Sequence, residues 1–409
     1  MNQTTFLPES IYRFPWNFAD NAISWLEPTS YCNLYCDGCY RENRSESHKT
    51  IDEIKKELNI FKNIRKTDGI SIAGGEPLLH PQICDIVSLI AGYGWKPIIN
   101  SNAATLNVDF LKKLKTAGVF GFTFHIDSGQ IREGWKNKTE IELNDLRLFY
   151  AEMVSSEGGM CCSFNATIYP ETVHFVPDLL DWSHKHIDKV NGMVFILYRM
   201  ANLGSNMEFY AGKDKVNFEK LGYSTISQER RVNISSLELV DVIREKYPDF
   251  TPSAFLNGSI IPDSYKWLFT GRMGTNNEIL GYSGPKFMEI TQTIKHLFTG
   301  SYLAYSPPSL HRKGKLYFLL ALFDEGIKKI FINFFKSLIK NPLNIFKKIH
   351  FQSIMIIQPA DVLDNGEIDM CDGCPDMTVW KDKLVWSCRM EEQINWGQNV
   401  RFVPENNIR

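Results

Sequence analysis

From Ile23 to about Met200, short apolar runs alternate with longer segments whose apolar residues recur at helical spacing. The runs predict strands at Ser24–Glu27, Gly69–Ala73, Pro97–Asn100, Gly121–Ile126, Cys162–Ile168 and Gly192–Leu197. Between them the 3.6-residue period predicts helices over Thr50–Asn63, Gln82–Tyr93, Asp109–Ala117, Glu140–Ser155 and Val176–Lys185. Strand then helix, repeated about six times, means parallel β-α units and an α/β fold class. Polar groups at the carboxyl ends of such strands are the first candidates for chemistry.

Beyond residue 204 the repeat stops, and residues 205–360 read as a mostly helical region without an assigned role. Helical patterns fall at Ser236–Lys246, Phe287–Leu297 and Gly326–Leu338. In the last of these, Ile327, Ile330, Phe331, Phe334, Phe335 and Leu338 lie at helical spacing before Asn341-Pro342 breaks the helix. Lys328, Lys329, Lys336, Lys340, Lys347 and Lys348 supply the charge, with no acid among them. Two readings are open: a helix packed on the domain with its lysines in water, or a cationic amphipathic segment lying on an anionic membrane surface or an acidic partner.

Composition narrows the setting. With 409 residues, 44% hydrophobic and 22% charged, the chain is long enough for a catalytic domain and a smaller unit. A net charge of -2 gives no general attraction to nucleic acid, so none is expected as a partner. The opening MNQTTFLPES lacks a positive region followed by an apolar core, and the longest apolar run, Leu316–Phe323, is far short of the ~20 residues of a membrane span. A cytoplasmic, reducing location is the expectation, with peripheral contact at the inner membrane face as the alternative reading of the lysines. The clustered members of its nine cysteines then point to metal rather than disulfides, while Cys84 reads as a small buried hydrophobe.

Two groups of cysteines remain. The stretch Tyr31–Tyr40, YCNLYCDGCY, presents Cys32, Cys36 and Cys39 from one loop. Three thiolates on one metal centre leave one coordination position open. This C-x3-C-x2-C spacing followed by aromatic Tyr40 resembles the radical S-adenosylmethionine (radical SAM) superfamily. The resemblance implies that Cys32, Cys36 and Cys39 hold a [4Fe-4S] cluster whose free iron chelates S-adenosylmethionine, with a partial (β/α)6 TIM-like barrel around it. Gly74-Gly75-Glu76-Pro77, after the second strand, resembles the family's GGEP motif, in which backbone and carboxylate hold the methionine amino group. Glycines allow close backbone approach, and Glu76 offers an acceptor for an ammonium.

The other strand ends are less specific. The third ends in Ser101 and Asn102, the fourth in His125, Asp127 and Ser128, the fifth carries Asn165 and Thr167, and the sixth ends in Tyr198-Arg199-Met200. By the resemblance, Asp127 and Ser128 are candidates for the ribose and Arg199 for the cofactor carboxylate, a geometry that suits a guanidinium fork. Helix capping is the competing reading for each, and His125 reads equally as a core histidine.

The second group, Cys371, Cys374 and Cys388, is spread over a C-x2-C pair and the far side of a hairpin spanning Thr378–Trp386. It is similar to a reduced SPASM or twitch extension, implying an auxiliary iron-sulfur cluster. It has too few cysteines for two clusters, and zinc is the alternative. Cys161 and Cys162 point to opposite faces of one strand, so at most one could add a ligand, and both read as buried.

The expected divisions are a lead-in at 1–22, the barrel at 23–204, the helical region at 205–360 and the cluster extension at 361–409. The implied activity is reductive cleavage of S-adenosylmethionine and hydrogen abstraction from an unactivated C–H bond, with flavodoxin or ferredoxin as reductant. A lipid-like substrate leads, a peptide or other small molecule follows, and a non-catalytic zinc protein is the reading from another class.

Overall fold

The computed structural model describes residues 8–199, 201–202, 207–221, 224–225 and 231–404. Met200 and the expected boundary near 204 lie outside them. Six parallel strands run side by side in chain order: β1 (Ile23–Thr29), β2 (Gly69–Gly74), β3 (Lys96–Ser101), β4 (Gly121–His125), β5 (Cys161–Ile168) and β6 (Gly192–Leu197). The helices between them are α1 (Ile51–Ile64), α2 (Ile83–Gly92), α3 (Val108–Ala117), α4 (Asn144–Glu157) and α5 (Val176–Lys185). This is the topology of a partial (β/α)6 barrel.

Local chemistry sets the helix ends. Thr50 and Glu53 form a reciprocal capping box at the start of α1. Asn107 accepts the Phe110 N–H at the start of α3, and Gly118 ends that helix in the left-handed region. Alternation along the strands divides barrel from shell. In β5 the even residues Phe164, Ala166 and Ile168 are buried under the helices, while Asn165 and Thr167 face the other way. Phe164 lies 5.7 Å from the Phe124 ring and 5.5 Å from Trp182 on α5, so the shell is closed by interlocking aromatics.

The region 205–360 departs from the mostly helical expectation. It contains α6 (Ser236–Lys246), α7 (Pro285–Thr299) and α8 (Glu325–Lys340), but also β7 (Ala254–Asn257), β8 (Tyr265–Thr275), β9 (Glu278–Tyr282) and β10 (His350–Ile357). β10 pairs in parallel with β6, then β8 and β7 continue the same sheet antiparallel. The lead-in joins too: Tyr12–Arg13 pairs with Ala254–Phe255, and Phe14 and Trp16 are buried. Strands of both segments join the sheet of the barrel.

The reason these strands escape pattern reading is that they bury charge. β8 contains fully buried Lys266 and Arg272. Lys266 pairs with Asp361 at 2.6 Å and Asp369 at 3.0 Å, and Arg272 donates to the Leu180 carbonyl at 3.0 Å and Ser183 Oγ at 2.9 Å. A strand covered on both faces normally reads as a continuous apolar run, and here the run is interrupted by cations whose partners lie far away in sequence.

The extension beyond 361 carries the expected hairpin, β11 (Met377–Trp380) and β12 (Lys383–Trp386), followed by α9 (Met390–Trp396). Lys381 and Asp382 both take positive φ, 45° and 64°, the two-residue turn that matches strand twist. Among the described residues no helix is long and apolar enough to cross a membrane.

Candidate functional site

The carboxyl ends of β2 to β6 and of β10 open on one cavity of about 1140 Å³. Both cysteine groups line it: Cys32, Cys36 and Cys39 from the loop after β1, and Cys371, Cys374 and Cys388 from the extension. The second group therefore reaches the chamber of the first.

The first loop is held from several sides. Tyr35–Cys36 pairs antiparallel with Gln130–Ile131. Gly38, at φ 71°, packs so close to Tyr198 that an added Cβ would sit 2.7 Å from its ring. At position 38 the left-handed backbone and the close ring favour glycine. Asn102 Nδ2 donates to Asn33 Oδ1 at 2.9 Å and reaches Cys32 Sγ at 3.7 Å, and Gln130 Nε2 reaches Cys36 Sγ at 3.7 Å. Arg132 joins these arms, donating to the Asn102 carbonyl at 2.8 Å and Gln130 Oε1 at 3.0 Å.

The Gly74-Gly75-Glu76-Pro77 stretch acts first on the protein itself. A Cβ on Gly75 would lie 2.3 Å from the Tyr31 carbonyl, so the close approach is to the backbone entering the cysteine loop. Glu76 accepts the Leu78 N–H at 2.9 Å, Ser101 Oγ–H at 2.7 Å and the Asn102 N–H at 2.6 Å. Three of roughly four acceptor directions of its carboxylate are used, leaving one for a ligand. Burial raises the Glu76 carboxyl above its ordinary value against those three hydrogen bonds.

Of the candidate cofactor contacts, Gly74, Gly75, Glu76, Ser101, Asn102, Asn165, Arg199 and Tyr40 line the cavity. Pro77, Asp127 and Ser128 stand outside the lining. Pro77 opens a short buried turn. Asp127 accepts the Gly129 N–H at 3.0 Å and the Thr167 N–H at 2.9 Å and holds His125 Nε2 at 2.6 Å, while Ser128 N–H goes to Glu140 at 2.6 Å. On this wall the cavity meets His125, Asn165 and Thr167 instead. Asn165 lines the cavity, and its Oδ1 is buried without a hydrogen-bond partner. Arg199 is engaged by Asp361 at 2.7 Å, so its fork is already half used.

Sequence reasoning missed Gln130, Arg132 and a clamp around Arg41. Arg41, buried just after Tyr40, pairs with Glu27 and lies 3.4 Å from Glu391 of α9. Glu391 also takes Arg44 at 2.6 Å and the Glu42 N–H at 3.2 Å. A run of arginines and glutamates around the cysteines was the only local signal. Asp376, between Cys374 and the hairpin, also lines the cavity, and burial pushes its carboxyl up to about 7, with Glu27 raising and Arg65 lowering it.

Burial also raises the Cys32, Cys36 and Cys39 thiols, most strongly Cys36. Cys374 is raised first by its hydrogen bond with Cys371, and Cys388 by burial and then Cys374. The donor set suits a metal that would deprotonate the thiols on binding. Among the described residues no three His, Cys, Asp or Glu side chains close tightly enough to hold a single ion. Cys161 and Cys162 are both buried, with Cys161 Sγ donating to the Ser306 carbonyl at 3.3 Å, and neither lines the cavity; Cys84 is half-buried.

Residues 26–147 match the family described as the Radical SAM superfamily. A probable GTP 3',8-cyclase of Methanococcus maripaludis is 27% identical over 40% of this chain and 63% of its own, so the chain spans about three fifths of that relative's length. An AdoMet-dependent heme synthase of Methanosarcina barkeri is 31% identical over 27% of this chain and 32% of its own. Among solved structures, Streptococcus suis SuiB bound to S-adenosylmethionine aligns with 16% identity and a TM-score of 0.39 over 56% of this chain and 48% of that one. Over residues 26–147, which carry the cysteine loop and the first strands, the chain is similar to the Radical SAM superfamily.

Proposed function

We propose that the chain is an enzyme that reductively cleaves S-adenosylmethionine at a [4Fe-4S] cluster held by Cys32, Cys36 and Cys39. The observation behind this is the cysteine loop opening on a large cavity beside Glu76, whose carboxylate keeps one free acceptor direction. Cys32, Cys36 and Cys39 would hold the cluster, which when bound would supply the one-electron reduction needed for cleavage of S-adenosylmethionine and hydrogen abstraction from an unactivated C–H bond.

The chain's own residues position and shield. Glu76 is the candidate acceptor for the methionine ammonium, fixed by Ser101 and Asn102 so that little ordering remains for binding. His125, Asn165 and Thr167 offer hydrogen-bonding groups to the rest of the cofactor. Apolar residues of the lining, among them Met207, Phe218, Trp267, Ile357 and Phe402, would form an apolar wall suited to keeping water from a reacting carbon. Cys371, Cys374 and Cys388 are suited to a second, auxiliary cluster on the same chamber.

That apolar wall supports a lipid-like substrate, and a peptide with apolar side chains meets it equally well. A flavodoxin or ferredoxin is the proposed electron donor. The test is anaerobic incubation with dithionite and S-adenosylmethionine: methionine and 5'-deoxyadenosine should form with the native chain and not with Cys36→Ala. Comparing lipids and peptides in cells with and without the chain then names the substrate class.

A further inference from the structure

Asp324 caps two helices at once. Oδ1 accepts the Ile327 N–H at 2.8 Å and the Gly284 N–H at 2.9 Å, and Oδ2 accepts the Phe287 N–H at 2.9 Å. This seats α8 against β9, where Asn333 Nδ2 donates to the Leu280 carbonyl at 2.9 Å. The helix buries one stripe, Ile327, Ile330, Phe334 and Ser337. One stripe is enough to pack a surface helix.

At 100° per residue, a second apolar stripe lies beside the first: Phe331, Phe335 and Ile339, with Ile339 73% exposed. The turns before and after the helix add Leu319, Leu322 and Phe346, which are 77%, 91% and 82% exposed. On the next side of α8 stand Lys329, Lys336 and Lys340, and Lys347 and Lys348 follow the last turn, all exposed. Among the described residues no ion pair engages any of these five, whereas Lys328 is matched by Glu325 at 3.1 Å.

We propose that this face docks on an anionic lipid bilayer. Phe331 meets the Phe318 ring at 5.4 Å, but a stripe this exposed extends beyond what the packing of the domain uses and marks an interaction surface. Its border of unpaired lysines selects an anionic occupant, and an apolar row flanked by lysines is the pattern of a helix lying in the membrane interface. A second copy fits less well, because a two-fold contact would set each lysine row against the same row of its mate.

The placement has a consequence for the enzyme. The patch ends at Lys348, just before β10 begins at His350, whereas Ile357 at the other end of β10 lines the cavity. Eight strand residues separate them by about 23 Å. Docking therefore holds the barrel by the amino-terminal end of β10, with the cavity at the opposite end. It keeps the enzyme near membrane-borne material without making the patch the entrance for substrate.

The proposal does not depend on the radical reading, since it is tested by binding alone. The full chain is sedimented with phosphatidylcholine vesicles with and without 30% phosphatidylglycerol (roughly the anionic content that gives a negative leaflet potential). It should pellet with the anionic vesicles only, and release as salt rises. Each lysine near the surface contributes about fivefold, so K329Q/K336Q/K347Q/K348Q should weaken partitioning by roughly 600-fold. L319S/F335S/F346S, changed only at exposed positions, should lose binding while keeping its circular dichroism. Absence of pelleting with anionic vesicles, or pelleting unchanged by the lysine substitutions, overturns the proposal. So does a concentration-dependent dimer that L319S/F335S/F346S abolishes, which would assign the face to a second copy.

Discussion

Glu391 is the contact by which the carboxyl-terminal extension grips the first cysteine loop, and Glu391→Ala shows how strong that grip is. The side chain is 2% exposed and receives Arg41, Arg44 and the Glu42 N–H. Removing one partner of a buried charge pair costs about 3–5 kcal/mol, because the other charge is left desolvated. Arg41 keeps Glu27, so the lower end applies. About 3 kcal/mol is roughly a 150-fold change in the population of the opened loop. Hydrogen exchange on anaerobically purified protein reads this at the amides of residues 40–44. In Glu391→Ala they should exchange about 100-fold faster, with Glu391→Gln between the two. Glu42→Ala, which removes an exposed partner of Arg44 worth at most about 1 kcal/mol, should change them only a few-fold. Exchange in Glu391→Ala equal to that of the native chain would refute the clamp.

Asn165→Leu removes a buried, unpartnered acceptor and should raise stability by about 1 kcal/mol in urea titration, while S-adenosylmethionine binding measured by calorimetry weakens. Gly75→Ala places a Cβ 2.3 Å from the Tyr31 carbonyl, displacing the backbone that feeds Cys32, and should lower iron incorporation well before it lowers the yield of soluble protein. The Asp181 carboxyl is lowered because hydrogen bonds from Lys246 and Tyr247 outweigh its desolvation. A lowered carboxyl stabilises the fold above the unfolded value of about 3.9 and stops doing so as pH falls through its folded value. The difference in urea midpoint between the native chain and Asp181→Asn should therefore be present at pH 7 and vanish under acid.

The barrel was legible because each of its units is local. Val176–Lys185 and Gly192–Leu197 have the bounds that their apolar spacing predicts, and the cysteine loops are continuous in sequence. What escaped was set by distant partners. Tyr265–Thr275 hides as a strand because Lys266 and Arg272 interrupt it, and their partners Asp361, Asp369 and Ser183 cannot be assigned to them from the pattern. Asp127 was expected to face the ribose, yet the amides of Gly129 and Thr167 and the ring of His125 turn it into the wall. Gln130 gained its place at Cys36 only through pairing with Tyr35–Cys36, which no local motif announces.

Metal analysis tests the central claim most directly, namely that two cysteine groups on one cavity each hold an iron-sulfur cluster. After anaerobic reconstitution the native chain should carry roughly eight irons, or about four for each cube. Replacing Cys32, Cys36 and Cys39 by Ala should remove one set and abolish cleavage of S-adenosylmethionine, and replacing Cys371, Cys374 and Cys388 should remove the other. Stoichiometric zinc without iron, or cleavage that survives loss of Cys32, Cys36 and Cys39, would contradict the account.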